Sequence, residues 1–409
     1  MGRFFKVKKV YFPTFLGWLI IIIGLIVFSF FLLKMTYTFL SQEVKPNSKV
    51  LVVEGWIPQY GIKNAIDYYN EHGYKYMIIT GVPITQWTYS SPFSNMADAS
   101  AGTMRHLFFT DSIYTVSIPT SVFRDRTYST AVALKMALPQ WRISDDNFDL
   151  YSLGAHARRS YLMFSKVFSH SDIGLITDTD KSFEAEEWYR SSNGFRIVFS
   201  ELISYFYSRL FFYPDEHHYQ QLIISGRYFD SITDARYEKD RTFADTVESP
   251  LNKSDVLKFK GLEYFEIDLQ YHVSAGFEVD TTEVPFSMPT TTERKPMYRK
   301  FGTARFMLHD SIFSLTAYQN LDYLIKNPDY KQLFIPFKDL TSSFDTYGGG
   351  RYLDIDIPLT DSVRIDFNKA YNPYCAYDER WSCPLPPPEN YINTLIKAGE
   401  KKTNNNIKK

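Results

Sequence analysis

The feature that most constrains this chain is an uncharged apolar run near its N-terminus. FLGWLIIIIGLIVFSFFLL, from Phe15 to Leu33, contains no charged residue. A helix needs roughly 20 predominantly apolar residues to cross the hydrocarbon core of a bilayer. The run therefore predicts a transmembrane anchor over about residues 15–35, within an N-terminal segment 1–45 that also holds a cytoplasmic stub and a linker.

The charges on either side of this run predict its orientation. Residues 1–10 carry four basic side chains, whereas Lys34 follows the run. Because an excess of basic residues marks the cytoplasmic side, we expect a single-pass protein of the cytoplasmic (inner) membrane with its N-terminus inside and both later domains extracytoplasmic. A cleaved signal peptide is the alternative, but the bulky KMTYTFL that follows does not look like a cleavage site.

Length and charge limit what the rest of the chain can be. With 409 residues, the chain is long enough for two ordinary domains. Its 45 basic and 46 acidic residues give a net charge of -1. Nucleic-acid binding needs concentrated cationic charge, so we exclude nucleic acid as a partner.

Residues 46–215 have the pattern of an α/β domain. Short apolar runs, KVLVVE, YMIITG, IYTVSIP, DLYSLG and IGLIT, alternate with amphipathic stretches at helical spacing. This alternation predicts a Rossmann-like domain with a parallel sheet and helices on both faces. Ligands of such sheets bind beyond the carboxyl ends of the strands, so the residues that end each run are the ones to examine.

The side chains at these strand ends are a carboxylate, hydroxyls, an imidazole and guanidinium groups beside glycines, a mixture suited to a small anionic ligand. The candidate ligand-binding residues are Glu54, Gly55, Thr80, Gly81, Arg124, Arg126, Thr127, His156 and Arg159.

Each of these side chains also has a purely structural interpretation. Neighbouring residues on a helix point about 100° apart, so Arg158 and Arg159 cannot both face one pocket, and we assign Arg159 to the site. Glu54 can act as a general base, accept a ribose hydroxyl or cap the next helix. His156 can bind ligand or bond to backbone at a helix N-terminus.

Two arginines before the third predicted crossover helix also have two possible roles. Arg124 and Arg126 precede a helix N-terminus, where free backbone NH groups and guanidinium groups favour phosphate or carboxylate. Salt bridges to Asp125 or Asp145 are the alternative.

The order of four short motifs resembles a known family. VVEGW, ITG, RTYSTA and HARR, over roughly residues 48–215, are similar to the YdcF/SanA/ElyC-like (DUF218) envelope proteins. The resemblance implies a Rossmann-like domain, often membrane-anchored, linked to cell-envelope integrity, with a pocket for a small anionic or nucleotide-like ligand. The family pattern S-x-N-T-x-E-N is FRDRTYST here: Thr127 matches, but Arg126, Ser129 and Thr130 replace Asn, Glu and Asn.

Common catalytic motifs are missing from the sequence. No G-x-G-x-x-G, Walker loop, G-x-S-x-G elbow or H-E-x-x-H occurs. The sequence therefore leaves open whether the protein is an enzyme, assigns no cofactor and predicts no metal site.

Residues 216–402 predict a mainly β domain with a helical lead-in. Runs such as YFEIDLQYHV and RYLDIDIPL alternate apolar and polar residues, as antiparallel strands do. SPLNKSDVLKFKGLEYFEID, LFIPFKDLTSSFDTYGGGRYLDI and the segment from Asp366 onward resemble the DUF1684 family over roughly residues 229–402. The resemblance implies a compact, mostly β domain of unknown biochemical function. The polar tail 403–409 is predicted to be disordered.

A glycine-rich turn is the first candidate site of the second domain. Gly349 and Gly350 allow close approach of a ligand, and Arg351 directly afterwards can bind an anion. The alternative is a simple turn in which Arg351 pairs with Asp339 or Asp345.

Both cysteines of the chain lie in the proline-rich segment 366–390. Cys375 and Cys383 are predicted to form a disulfide if the domain is exported. Two buried thiols or a redox pair are the alternatives, although C-x7-C lacks the usual C-x-x-C context. Three polar residues in and near this segment are further candidates for lining a pocket: Asp366, Asn368 and Asn372.

Two functional hypotheses follow. The favoured one is a membrane-anchored cell-envelope protein whose α/β domain binds or processes a small phosphorylated or nucleotide-like anion. The alternative is a non-enzymatic extracytoplasmic scaffold whose two domains dock other envelope proteins. Both include the lipid bilayer as a partner of the N-terminal helix. A single cavity shared by Glu54, Thr127, His156 and Arg159 would favour the first.

Overall fold

The computed structural model of the protein describes residues 11–84, 92–280 and 284–402. The chain divides into two compact units between Tyr228 and Phe229. The predicted basic stub at residues 1–10 and the predicted disordered tail at 403–409 lie outside the described residues.

One long apolar helix begins the described chain. Helix α1 is Phe15–Leu40, and the Thr14 side chain caps it by accepting a hydrogen bond from the Gly17 amide at 3.2 Å. None of its most apolar 18-residue window is buried against protein. By length and composition α1 can span a membrane. Its orientation in a membrane stays a prediction.

The first unit contains a five-stranded sheet in which every strand is parallel, as the sequence predicted. Its strand order is β3-β2-β1-β4-β5, so the order reverses between β1 and β4. Such a reversal is where ligands bind in open α/β sheets. The strands are β1 (Val50–Glu54), β2 (Tyr76–Gly81), β3 (Ile113–Ser117), β4 (Asn147–Leu153) and β5 (Asp172–Asp178).

Helices cover both faces of this sheet because successive residues of a strand point to opposite sides. In β1, Val50 and Val52 enter a core formed with α4 and α5, whereas Leu51 and Val53 enter a second core formed with α2 and α3. Both sets are buried. The helices are α2 (Gln59–His72), α3 (Met96–His106), α4 (Arg126–Trp141) and α5 (Ala157–Val167).

Two further helices follow the sheet. Helix α6 (Ser192–Leu210) shares a small core with the C-terminal end of α1, which includes Leu40, Trp188 and Val198. Helix α7 (Glu216–Ala244) comes next, and the boundary between the two units falls within its sequence.

The second unit is a curled, mainly antiparallel sheet, which confirms the predicted β-rich domain. The strand order is β11-β10-β9-β8-β6-β12, with β7 paired to β8 and β13 paired in parallel to β10. Two short helices, α8 (Lys253–Val256) and α9 (Leu321–Lys326), accompany it. The strands are β6 (His272–Val279), β7 (Phe286–Ser287), β8 (Met297–Leu308), β9 (Ser311–Asn320), β10 (Gln332–Asp339), β11 (Arg351–Asp356), β12 (Ser362–Asp366) and β13 (Tyr391–Ile392).

A buried carboxylate in β4 fixes the chain as it enters β1. The carboxylate of Asp149 accepts hydrogen bonds from the backbone amides of Asn47 and Ser48, both at 3.0 Å. It also accepts one from the Tyr74 hydroxyl at 2.8 Å. Because Asp149 is buried, water cannot readily replace its carboxylate as the acceptor for these three donors.

Replacement of this carboxylate should therefore destabilise the first unit. We expect Asp149→Ala to lower its free energy of unfolding by about 3 kcal/mol, because buried donors lose their acceptor. Calorimetry of the full chain should show a fall in Tm of roughly 6 to 12 °C. The matched control is Asp172→Ala, which removes an exposed acceptor of the Asn47 side chain and should cost less than about 1 kcal/mol. Equal losses in the two variants would contradict this assignment.

Candidate functional site

A cavity of about 880 Å³ opens at the carboxyl ends of the parallel strands. Its volume is in the usual range for sites that hold small molecules. The ends of β1, β2 and β4 contribute to its wall, together with α6 and the first turns of α4 and α5. Seven of the residues selected from the sequence line it: Glu54, Thr80, Gly81, Arg126, Thr127, His156 and Arg159.

The two glycines at the strand ends allow close packing. A Cβ atom on Gly81 would lie 2.3 Å from the Ala97 amide nitrogen at the start of α3, so only glycine fits there. Gly55 is not among the cavity-lining residues. Its amide donates a hydrogen bond to the Thr80 carbonyl at 2.7 Å, which is a structural role.

Glu54 lies at the innermost end of the cavity and is held by three neighbours. Its carboxylate accepts hydrogen bonds from the Ser152 hydroxyl and from the Ser160 hydroxyl, the latter at 2.9 Å. His156 Nε2 lies 3.7 Å away. Burial alone raises the pKa of Glu54, but His156 and the two serines outweigh it and hold the pKa below its ordinary value. Glu54 therefore stays ionised and is a weak base.

Glu201 of α6 joins the two cations of the cavity. Its Oε1 accepts from His156 Nδ1 at 2.9 Å and from Arg159 Nη2 at 3.2 Å, while its Oε2 accepts from Arg159 Nε at 2.7 Å. Arg159 Nη1 also lies 3.4 Å from the Thr127 hydroxyl. Burial raises the pKa of Glu201, but His156 and Arg159 lower it to about 2.

His156 is a cation at neutral pH in this arrangement. Burial lowers the pKa of its ring, but Glu54 and Glu201 on either side raise it to about 9. The edge of the Trp56 ring packs against the imidazole, with 4.8 Å between ring centroids. A charged imidazole can donate a proton but cannot accept one, so the site is suited to a general acid or an anion contact rather than to a nucleophile activated by histidine.

The start of α4 gives the cavity an uncapped helix end. Asp125 precedes the helix in a left-handed conformation (φ 48°) and makes no capping hydrogen bond. Its carboxylate instead accepts from the Tyr219 hydroxyl at 2.8 Å. Arg126, the first residue of α4, is exposed, and within the described residues no carboxylate lies in ion-pair distance of it. Arg124 is exposed beside the Phe123 ring and does not line the cavity.

The charges of the cavity follow from these contacts. The negative charges of Glu54 and Glu201 cancel the positive charges of His156 and Arg159. The lining carries three further charges, the guanidinium of Arg126 and the carboxylates of Asp125 and Asp180. Arg126 and the amides of α4 are the groups that attract an anion, against the repulsion of these two carboxylates. The arrangement can bind a small anion beside a proton donor.

Sequence reasoning missed three residues that shape this cavity. Trp56 lies two positions after Glu54, just beyond the end of β1. Its position after a strand end was a signal that could have identified it as a cavity residue. Asp125 lies between two selected arginines but was considered only as a salt-bridge partner. Glu201 is the single acidic residue of α6, which is a signal that could have identified it. Arg158, by contrast, donates to the Phe39 carbonyl at 2.9 Å, away from the cavity.

In the second unit, Arg351 has a structural role. It is fully buried, and its Nη2 forms an ion pair with Asp339 at 2.9 Å. It also donates to the backbone carbonyls of Ile396, at 2.8 Å, and Ala398. The structure therefore corrects the prediction that Arg351 contacts an anion. Its guanidinium instead joins β10 and β11 to the C-terminal segment. Gly350, with φ 97°, forms the turn into β11.

The other second-unit candidates also hold backbone. The Asp366 side chain accepts from the Asn368 amide at 3.1 Å. Asn368 exchanges two hydrogen bonds with the backbone of Asp268. The Asn372 side chain donates to the Lys401 carbonyl at 2.8 Å. Gly349 lies in the turn before β11. None of these residues lines the cavity of the first unit.

The two cysteines are neighbours, and both are buried thiols in the structure. The Cys375 amide donates to Cys383 Sγ at 3.3 Å, and the Tyr347 hydroxyl lies 3.7 Å from Cys375 Sγ. The predicted disulfide is not formed here, whereas the alternative of two buried thiols corresponds to this arrangement. Among the described residues no group of three or more His, Cys, Asp or Glu side chains can hold a metal ion.

Comparisons with known proteins bear on the second unit. Residues 257–401 match the family described as protein of unknown function DUF1684. A solution NMR structure of an uncharacterized protein from Haloarcula marismortui is 33% identical, and the match covers 43% of this chain and 95% of that one, with a TM-score of 0.36. No curated protein matches the chain. These comparisons give no support for the YdcF/SanA/ElyC-like resemblance, which stays a prediction.

The charges around His156 should make stability depend on pH. The pKa of this histidine rises from 6.5 to about 9 on folding, so its contribution is fully present below pH 6.5 and is lost as pH rises through 9. Thermal unfolding should show a loss of up to about 3 kcal/mol over this window in the wild type. His156→Gln should flatten the curve there, whereas His72→Gln, at an exposed histidine, should keep the wild-type slope. An unchanged slope in His156→Gln would refute the assignment.

The ion pair between Arg351 and Asp339 should be essential for the second unit. We expect Arg351→Met to cost about 3 to 5 kcal/mol, because it leaves a buried carboxylate without its partner. Arg305→Ala, which removes an exposed ion pair with Glu278, should cost less than about 1 kcal/mol. Calorimetric unfolding of each full-length variant measures the two losses in free energy of unfolding. A small loss for Arg351→Met would show that the pair is dispensable.

Proposed function

Because residues 257–401 belong to the DUF1684 family, which carries no assigned activity, we propose that ligand binding resides in the first unit. Its α/β fold binds a small phosphorylated or nucleotide-like anion in the cavity at the carboxyl ends of the strands. The observation that carries this proposal is the convergence of Glu54, Thr127, His156 and Arg159 on one cavity of about 880 Å³.

The start of α4 supplies the anion contact. The guanidinium of Arg126, which has no ion-pair partner among the described residues, and the first turn of the helix are both on the cavity wall, and a phosphate or carboxylate can bind to both. Glu201, together with Glu54, neutralises Arg159 and His156. The anion therefore binds beside the helix end, with the His156 imidazolium as a further contact or proton donor.

The chain acts at the cell envelope in this proposal. Helix α1 is long and apolar enough to anchor the protein in the cytoplasmic membrane as a single pass, and the basic residues before it favour an N-terminus inside. Both units are then extracytoplasmic. The proposed role in envelope maintenance rests on the predicted resemblance of residues 48–215 to YdcF/SanA/ElyC-like proteins, for which the comparisons give no support.

One observation favours the scaffold alternative. The charged groups of Glu54, His156, Arg159 and Glu201 neutralise one another, so this cluster is satisfied without a ligand. In that alternative the cavity is a structural feature, and both units dock envelope proteins.

Thermal shift of the full chain in detergent separates the two functions. The probes are inorganic phosphate, a nucleoside monophosphate and a sugar phosphate, with sulfate and chloride at matched ionic strength. A specific ligand at a hundred times its Kd should stabilise the first unit by about 2.7 kcal/mol. We expect Arg126→Ala to weaken binding roughly 10- to 100-fold, because it removes a charge-assisted hydrogen bond.

The matched control is Arg124→Ala. Arg124 has the same charge and lies two residues away, but it does not line the cavity, so its removal should leave the affinity unchanged. If no phosphate-containing probe raises Tm above the salt controls, the ligand hypothesis is wrong and the scaffold remains. Equal weakening in both variants would indicate non-specific attraction to a basic loop.

A further inference from the structure

Helix α6 carries an apolar stripe that the described part of the protein leaves about half exposed. The stripe recurs at intervals of three and four residues, so its members lie on a single helix face. Each of these side chains is between 45% and 55% exposed, which is unusual for large apolar groups aligned on one face. We call it the α6 stripe; it consists of Phe195, Phe199, Ile203, Phe206 and Leu210.

The opposite face of the same helix forms a wall of the ligand cavity. Ile197, Glu201, Ser204 and Ser208 all line the cavity. At 100° per residue these positions lie on the side of the helix away from the stripe. Ile203, at the edge of the stripe, also lines the cavity, whereas Phe195, Phe199, Phe206 and Leu210 do not. Helix α6 therefore separates the cavity from most of this exposed apolar surface.

Contacts with α1 place the stripe next to the proposed membrane anchor. The ring of Phe206 stacks on Phe39 of α1 with 6.4 Å between centroids. At the other end, Tyr189, just before α6, packs on Phe30 at 6.0 Å. Phe30 lies within the uncharged run, whereas Phe39 lies beyond Lys34.

These contacts give α6 a direction relative to the anchor. Phe30 and Phe39 are nine residues apart on α1, which corresponds to about 14 Å along its axis at 1.5 Å per residue. The N-terminal end of α6 is therefore at the level of the apolar run, and its C-terminal end is at the level of the polar end of α1. A bilayer that covers the run up to Leu33 reaches the first turns of α6 as well.

The charges near the stripe are mixed: the exposed carboxylates of Glu184, Glu186 and Glu187 precede α6, whereas basic residues lie along the helix itself. Arg196 and Arg209 flank it and are exposed, and Lys34 of α1 lies at the end of the apolar run. The only acidic residue of α6 is Glu201, which faces the cavity. Apolar rings with basic residues at the edges suit the boundary between acyl chains and phosphate headgroups.

We propose that the α6 stripe is a second membrane contact, in which Phe195 and Phe199 enter the acyl boundary of the bilayer that α1 spans. Phe206 and Leu210 then lie at the level of the headgroups. The partner is the lipid surface, because the stripe continues the apolar surface of α1. The first unit is then attached to the membrane by the α6 stripe as well as by α1. This double attachment fixes the distance between the cavity and the membrane. This inference concerns attachment and does not require the proposed ligand.

Site-directed spin labelling of the full chain in lipid nanodiscs tests the proposal. Single cysteines replace Phe195, Phe199 or Leu210 in a background with Cys375→Ser and Cys383→Ser. If that background fails to fold, the buried native thiols stay in place. The relaxation of each label is compared in the presence of oxygen, which concentrates in the bilayer, and of a water-soluble nickel chelate.

We expect oxygen to exceed the nickel chelate as a relaxing agent at positions 195 and 199, with a smaller ratio at 210. Two matched labels calibrate the scale. Ile23→Cys in the middle of α1 should give the highest ratio, and Phe108→Cys, at an 89% exposed phenylalanine after α3, should give the lowest.

Three outcomes overturn the inference. If positions 195 and 199 match position 108 while 23 reports lipid, the stripe faces water although the anchor is inserted. If position 23 also reports water, the anchor fails and the stripe contact fails with it. If positions 195 and 199 are shielded from both agents and show dipolar broadening between labels, a second copy of the chain covers the stripe. None of these results depends on whether phosphate binds in the cavity.

Discussion

The position of β1 in the middle of its sheet is the constraint on which the first unit depends. It pairs with β2 on one side and with β4 on the other, and both of its faces are buried. Because the strand order reverses here, Glu54 at the end of β1 and His156 after β4 meet at one point. Asp149 adds to this arrangement by fixing the backbone that leads into β1. The cavity is thus a consequence of topology.

Electrostatics inside the cavity then divides the polar residues into two groups. Glu54, His156, Arg159 and Glu201 form a neutral cluster whose members are largely desolvated and therefore depend on one another. Arg126 is outside this cluster and is exposed. The cluster shapes the cavity, and in the proposed function the helix end beside Arg126 is the part that attracts the anion. Helix α6 connects this chemistry to the anchor, since one face contributes Glu201 and the other is the α6 stripe.

The second unit uses similar residues for a different purpose. Its arginine, Arg351, also follows a glycine-rich turn, but it is enclosed by β10, β11 and the C-terminal segment, where its partners are a carboxylate and backbone carbonyls. A charge that is buried with all of its partners inside the protein specifies the fold and is not free for a ligand. This difference in burial explains why the residues selected from the sequence line a cavity in the first unit and hold the backbone together in the second.

The sequence by itself determined the apolar helix, the parallel sheet, the β-rich second unit and its family, because these depend on periodicity and on a long stretch of matched residues. It also located most of the cavity, since strand ends in such sheets converge. The tertiary structure alone decided which polar groups are already paired. It placed Glu201 between His156 and Arg159, buried Arg351 with Asp339, and left Arg126 exposed. Pairing and burial depend on contacts between residues far apart in the chain, which spacing along one sequence does not encode.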